Sequence, residues 1–222
     1  MIKKDRVSYM FIGPSSYSIK MDIPCNMKIM PPAKRGDINN LVASNPPGSI
    51  VLVDGTYHSY PAVSHAEIRS AIKSGWQVWG LSSMGAIRAV ELKSLGMKGF
   101  GNVYSMFAKD DDLPDDYVAL VHGNEPPYIP ISEPLIHIDF FLKELVEEHV
   151  ISYEDYIKLL DSFSNMWFGY RTIKKLKQSL NRYILKSDFS DLDHKFKNFQ
   201  NYRVKSLDVL SFLSTCNIKD QY

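Results

Sequence analysis

Over the first half of the chain, short unbroken apolar blocks alternate with stretches whose apolar residues recur at helical spacing. Val7–Ile12 is one such block, Ser49-Ile-Val-Leu-Val-Asp54 a second and Trp76–Trp79 a third. Each is too short for a helix and rich in β-branched or aromatic residues, the pattern of strands covered on both faces. Met27–Met30 reads as a further short strand inside the otherwise irregular stretch Asp22–Pro46, and Asp37 caps a short helix running through Ala43. Ser64-His-Ala-Glu67 is a capping-box pattern that opens a helix to about Ser74, with Gly75 stopping it. After Trp79, residues Ala86, Ile87, Ala89, Val90, Leu92 and Leu95 form the apolar face of another helix. Strand–helix–strand–helix alternation predicts βαβ units and hence a parallel sheet.

The pattern then changes. Gly96-Met-Lys-Gly99-Phe-Gly101 is a glycine-rich turn into Asn102–Phe107, read as one more strand. The acidic loop Lys109–Asp116 leads to a helix with Pro114 near its first turn, carrying Val118, Leu120 and Val121 and ending near His122-Gly123. Glu125-Pro-Pro-Tyr-Ile-Pro130 marks a boundary, after which the spacing is mainly helical: 134–150, 152–163, 170–185 and two shorter pieces to about residue 214. The expected fold is α/β, an open and mainly parallel sheet with flanking helices of Rossmann-like or flavodoxin-like type. A core over 1–130 would carry a helical C-terminal extension over 131–222.

Composition narrows the class. With 222 residues, 45% of them hydrophobic and 23% charged, the chain can bury a sizeable core. A formal charge of +1 gives no global pull toward nucleic acid, and no recognisable nucleic-acid module is present. Cys25 and Cys216 match no metal-ligand spacing, so a reduced pair is expected. The N-terminus has no long apolar region of a signal peptide, and no run approaches the ~20 residues of a membrane span. A soluble, cytoplasmic protein is expected.

In a parallel sheet, Gly13, Asp54 and Ser83 all fall at carboxyl ends of strands, where open α/β sheets carry their ligand crevice. Within Gly80-Leu-Ser-Ser-Met-Gly85, Ser82 is a candidate N-cap that would aim free N–H groups at a ligand. Ser83, with glycine two residues on, resembles a nucleophile elbow, although Leu81 stands where a small residue is usual. Blander roles compete: Ser83 as a cap, Glu67 completing the capping box, Arg88 and Glu91 as an intrahelical ion pair, His122 as a helix C-terminal cation. Asp110, Asp111, Asp112, Asp115 and Asp116 are either a cation cradle or a solvated loop. Trp76 and Trp79 read as core. The basic stretches Arg171–Lys177 and Lys195–Lys197 read as the solvated faces of packed helices, or as a docking surface.

Ile50-Val-Leu-Val-Asp-Gly55, His65-Ala-Glu-Ile68 and Gly80-Leu-Ser-Ser-Met-Gly-Ala-Ile-Arg-Ala-Val-Glu-Leu92 closely resemble the TfuA-like family. So do Gly96–Gly101, the acidic Asp110–Asp116 with Val118-Ala and His122, Gly13-Pro14, and Pro31-Pro-Ala-Lys-Arg-Gly-Asp37. The resemblance runs in order through about residue 135. It departs at Leu81 and Val90, where the family usually has alanine, and at His137-Ile-Asp139, where an Asn-x-Arg is common.

The resemblance implies a partner of YcaO enzymes, which use ATP and Mg to activate a backbone amide oxygen. No cofactor of its own is implied. Where both act, the product is typically a thioamide, with sulfide supplied by hydrolysis of a thiocarboxylated ubiquitin-like sulfur carrier; the precursor peptide is a further candidate partner and a homo-oligomer a further option. The catalytic candidates are then Ser83, Asp54 and His65, and the substrate-binding candidates Gly13, Pro14, Gly55, Glu67, Ser82, Met84, Gly85 and Arg88, with no metal. Acyl transfer to water needs an attacking group, a base and donors for the oxyanion. Either Ser83 attacks, with His65 as base oriented by Asp54 or Glu67 and the Met84 or Gly85 N–H as oxyanion donor, or Asp54 activates water while Ser83 and Arg88 hold the carbonyl. A non-catalytic adaptor that activates YcaO is the alternative, and a small anion- or nucleotide-binding module a weaker third.

Overall fold

The computed structural model describes residues 6–56, 60–110, 112–183 and 189–217. Asp111, Ile184 and Leu185 of the sequence reading lie outside the described residues. Five strands, β1 (Ser8–Phe11), β2 (Met27–Met30), β3 (Ser49–Leu52), β4 (Gln77–Leu81) and β5 (Lys98–Phe100), form one sheet in the order β2-β1-β3-β4-β5. Every pairing is parallel. The α/β expectation therefore holds, and the strand order is the flavodoxin-like one. Helices α1 (Asp37–Ser44), α2 (His65–Lys73) and α3 (Met84–Glu91) connect successive strands. They are followed by α4 (Gly101–Phe107), α5 (Leu135–Glu147), α6 (Tyr153–Ser164), α7 (Ile173–Leu180), α8 (Phe189–Lys197) and α9 (Val204–Asn217).

The side-chain alternation of the strands sorts the core into two layers. Tyr9, Phe11, Ile50, Leu52 and Val78 pack with Ile38 and Leu41 of α1, Ile68 and Ala71 of α2, and Met84 and Ala89 of α3. The intervening residues Met10, Ile12, Val51, Val53 and Leu81 pack on the other face against Val209, Phe212 and Leu213 of α9. Both faces are buried, which explains unbroken apolar runs in the sequence. Trp76 is core as expected, whereas Trp79 is half-covered, with Phe212 standing edge-on to it at 5.7 Å.

Chain contacts define two compact units, Met1–Leu113 with Lys205–Tyr222, and Pro114–Val204. In the second unit Asp139, on α5, accepts hydrogen bonds from the Tyr117 and Tyr156 hydroxyls at 2.7 and 2.8 Å. Arg171 is fully buried and donates to Phe163 O, Ser164 O, and both the carbonyl and the carboxylate of Asp116. It is therefore not part of a docking face, and Asp116 is an ion-pair partner instead of a loop anion.

Several local expectations are corrected. Asn102–Phe107 is helical: Gly101 takes φ +93°, and the Asp208 carboxylate accepts the Asn102 and Val103 N–H groups at 2.8 and 3.0 Å. That is an N-cap supplied from α9, invisible to local periodicity. Among the described residues the acidic segment makes one 3₁₀ turn, Asp115–Tyr117, and no helix reaches His122. The backbone of 121–123 pairs instead with 129–132, His122 bridging Pro130, and the His122 Nδ1 lies 2.7 Å from Gly123 O. Asp37 is the first residue of α1, not its cap; Gly36 caps, at φ +96°. Among the described residues no helix is long and apolar enough to cross a membrane. Cys25 is a free thiol at the surface.

Candidate active site

Strand register builds the site. Phe11 pairs with Leu52 and Leu52 with Gly80, so the chain two residues beyond each, at Gly13, Asp54 and Ser82, leaves the sheet level with the others. After β1 the chain turns to β2 and after β3 to β4, on opposite sides, which makes this edge the topological switch point of the sheet.

Asp54, 2% exposed, occupies that point. Its Oδ2 accepts the N–H groups of Gly13 at 2.8 Å and Ser15 at 3.0 Å, and its Oδ1 the Ser15 hydroxyl at 2.8 Å. Pro14 lies between the two donors, at the start of a 3₁₀ turn, where a missing N–H costs nothing. A side chain on Gly13 would meet Pro32 at 2.4 Å, so only glycine lets the loop close on the carboxylate.

The second component is the turn between β4 and α3. Ser82 has φ +65°, and the Ser83 N–H donates to Leu81 O at 2.7 Å, closing a three-residue turn around Ser82. For a serine this conformation costs about 1–3 kcal/mol and persists only where its surroundings enforce it. They do so here. A Cβ on Gly85 would lie 1.7 Å from Leu52 O, and one on Gly80 2.0 Å from Gly85 O, so α3 is pressed on β3 and β4. The strained residue is thus Ser82, with Gly80 two positions before it, and the elbow is centred one residue earlier than the spacing suggested. Ser83, not Ser82, is the N-cap of α3, and its side chain makes no capping bond. Gly85 N–H is taken by Val53 O at 3.2 Å, which leaves Met84 as the available N–H at the helix start.

The third component comes from α9. The Ser82 hydroxyl donates to Lys205 O at 2.8 Å, across 123 residues of sequence, and the Ser206 hydroxyl donates to Ser15 O at 2.8 Å. These two bonds seat the first turn of α9 over the crevice, with Lys205 Nζ 3.9 Å from Asp54 Oδ1. Lys205, Ser206 and Asp208 carried no signal in the sequence, because nothing local marks a residue for contact that far along the chain.

The remaining candidates separate. His65 begins α2 with its side chain 54% exposed; its Nε2 is 2.8 Å from Glu91, and Arg88 bonds the same carboxylate. Burial alone would raise the Glu91 carboxyl, but the bonds from His65 and Arg88 outweigh it and hold it below its ordinary value. His65 bonds neither Asp54 nor Ser83, so these three residues do not form a Ser–His–Asp arrangement. Arg88 pairs with Glu91 within its helix and also donates to Val63 O. Glu67 completes the capping box with Ser64 and accepts the Gly36 N–H at 2.7 Å. Gly55, half-buried, bridges Ala33 beside the crevice. Among the described residues no cluster of His, Cys, Asp or Glu is placed to hold a metal ion.

No curated protein matches the chain. The family model for TfuA-like proteins matches residues 54–172, which starts at the crevice aspartate and spans more than half of the 222 residues. The chain belongs to the TfuA-like family.

Proposed function

We propose that the protein is an accessory factor for YcaO-dependent modification of peptide backbone amides, and that it supplies sulfide for thioamidation by hydrolysing the C-terminal thiocarboxylate of a ubiquitin-like sulfur carrier. The observation that carries this reading is the pairing of a buried Asp54 with a strained serine turn and a helix N-terminus at the switch point of the sheet. Asp54 Oδ1 accepts the Ser15 hydroxyl at hydrogen-bond distance and keeps lone-pair capacity for an attacking water. In this scheme water adds to the carbonyl carbon while the Met84 N–H and the Ser83 hydroxyl hold the developing oxyanion. The C–S bond then breaks. Sulfur leaves as hydrosulfide carrying one proton of the water, the other proton is released, and the carrier is left with a carboxylate. With His65 engaged elsewhere, Asp54 takes the part of base and Ser83 that of a positioning hydroxyl.

The test is sulfide release from thiocarboxylated carrier by wild type, Asp54→Asn and Ser83→Ala, each shown folded by circular dichroism. Loss of the base lowers the rate by about 10²–10⁴-fold in Asp54→Asn, and Ser83→Ala falls less. Burial of Asp54, Ser82 and Ser83 under α9, each at most 3% exposed, favours a second reading, an adaptor that promotes YcaO without chemistry of its own. Wild type that releases no sulfide yet stimulates YcaO supplied with free sulfide would establish the adaptor and sink the hydrolase.

A further inference from the structure

Single apolar residues on a surface are ordinary, whereas rings exposed together are the material of a contact site. On the turn between α6 and α7, Trp167 is 51% and Tyr170 66% exposed, and their rings stand 5.1 Å apart at 80°. Phe168, between them in sequence, is buried, its ring 5.2 Å from that of Trp167. The pair is fixed in place. Arg171 donates to Phe163 O and Ser164 O at the end of α6, and its own carbonyl accepts the Glu133 N–H at 2.8 Å. A Cβ on Gly169 would lie 2.1 Å from the Trp167 ring, so the indole rests directly on the backbone. A partner side chain would therefore meet a preformed surface and order little on binding.

The charge beside the pair has one sign. Residues 162–183 contain Arg171, Lys174, Lys175, Lys177 and Arg182 and no Asp or Glu, in a chain whose formal charge is only +1. Arg171 is buried against Asp116, and Lys177 Nζ reaches Asp193 at 3.2 Å and the face of Phe196 at 4.7 Å. Lys174 and Lys175 have no such partner among the described residues. Leu176 and Leu180 are the buried residues of α7, and both lysines are left exposed on its first turn, just after Tyr170. There they stand at the positive end of the helix dipole, with no acidic residue in that turn. The placement is unfavourable on its own and becomes favourable when anionic groups approach.

We propose that Trp167, Tyr170, Lys174 and Lys175 form a docking surface for a short acidic segment of a partner protein, one that carries an aromatic or aliphatic side chain among its carboxylates. The apolar side chain lies on the indole and phenol, and the carboxylates meet the two ammonium groups and the start of α7. A single-stranded nucleic acid fits less well. Its bases need open ring faces to stack on, whereas these two rings stand edge-on to each other and the indole lies on Gly169. A chain of formal charge +1 also has no long-range field to draw in a polyanion. The surface lies in the second unit and Asp54 in the first, so it goes beyond the chemistry proposed above without depending on it.

The test uses the full chain and a fluorescein-labelled peptide of Glu and Ser with one central Phe, followed by fluorescence anisotropy. Comparison probes are the same peptide with Lys in place of Glu, the same peptide with Ser in place of Phe, and an oligothymidylate of equal length. Wild type is expected to bind the acidic Phe peptide about tenfold more tightly than either altered peptide, and less tightly as salt is raised. Charge reversal in the double variant Lys174→Glu, Lys175→Glu lowers that affinity by about tenfold, and Trp167→Ala with Tyr170→Ala lowers it by a similar factor. The lysines are exposed, so the charge-reversed variant keeps the wild-type unfolding midpoint and reads binding alone. Wild type that binds none of the peptides, or binds acidic and basic forms equally, overturns the inference. So does an affinity for the acidic peptide that charge reversal leaves unchanged. Tighter binding of the oligothymidylate than of the acidic peptide would make this a nucleic-acid surface instead. A dimer in sedimentation that the Trp167→Ala, Tyr170→Ala variant dissociates would give the face to a second copy of the chain, and the proposal would be wrong.

Discussion

The two units bury polar groups in opposite ways. In the first, Asp54 is held by main-chain N–H groups and one hydroxyl from a single loop, beside a serine in a strained turn. In the second, Asp139 takes Lys143 from its own helix and the Tyr117 and Tyr156 hydroxyls from two other segments, and Arg171 is held by Asp116, Phe163 and Ser164. The Tyr117 and Tyr156 hydroxyls are pushed far above their ordinary value by burial and by Asp139, so they remain donors throughout the working pH range. Those phenols and guanidinium nitrogens tie elements together and have nothing to exchange. The Asp54 loop spans few elements, keeps acceptor capacity and sits at the switch point. Burial of charge alone does not mark a site. What marks it is a buried charge served by loop backbone at a strand end, next to stored strain.

The sharpest way to break this contrast is Arg171→Ala. Removing the guanidinium strands three carbonyls and leaves the Asp116 carboxylate without its partner, and urea unfolding should report a loss of about 3–5 kcal/mol. A loss below about 0.5 kcal/mol, the level of an ordinary surface substitution, would mean the cluster does not tie the second unit together.

A smaller effect tests the strain. Ser82→Ala keeps the positive φ and loses the bond to Lys205 O, whereas Ser82→Gly loses the same bond but relieves the backbone. The glycine variant should therefore be the more stable by about 1 kcal/mol, the reverse of the usual order of these residues in regular structure. Equal midpoints would show that the turn stores no strain.

The smallest effects are in pH dependence, where the two units carry opposite signs. Burial raises the Glu133 carboxyl, but the bond from His137 and the charges of His137 and Arg203 hold it below its ordinary value of 4.5. Its stabilisation is complete above that value and is lost as pH falls through the lower, folded value. Asp208 goes the other way: burial outweighs the N–H groups of Val103 and Asn102 and lifts it above 3.8. Its contribution is complete below 3.8 and is lost as pH rises through the folded value. Unfolding midpoints followed from pH 3 upward should lose their acid-side slope in Glu133→Gln, and lose an opposing slope in Asp208→Asn.

Much of the first unit was legible in the chain. The apolar runs at Val7, Ser49 and Trp76, the short run at Met27, the Ser64–Glu67 capping box and the helical face after Ser83 all lie where their local patterns place them. Each depends on neighbours within a few residues, which periodicity and capping chemistry report directly. Asp54 at a strand end next to Gly13 follows from the same logic once the strands are parallel. Tertiary structure alone decided the rest. Residues 101–107 became a helix because Asp208, more than 100 residues later, caps it. Positions 121–123 paired with 129–132 instead of coiling, and His65 was drawn to Glu91. The positive φ fell on Ser82 because Gly80 and Gly85 let α3 close on the sheet, and Lys205 reached Asp54 because α9 packs on the face of β1, β3 and β4. Contacts of that range are chosen by whichever buried surfaces and unpaired polar groups complement one another, and a sequence read a few residues at a time contains no record of that choice.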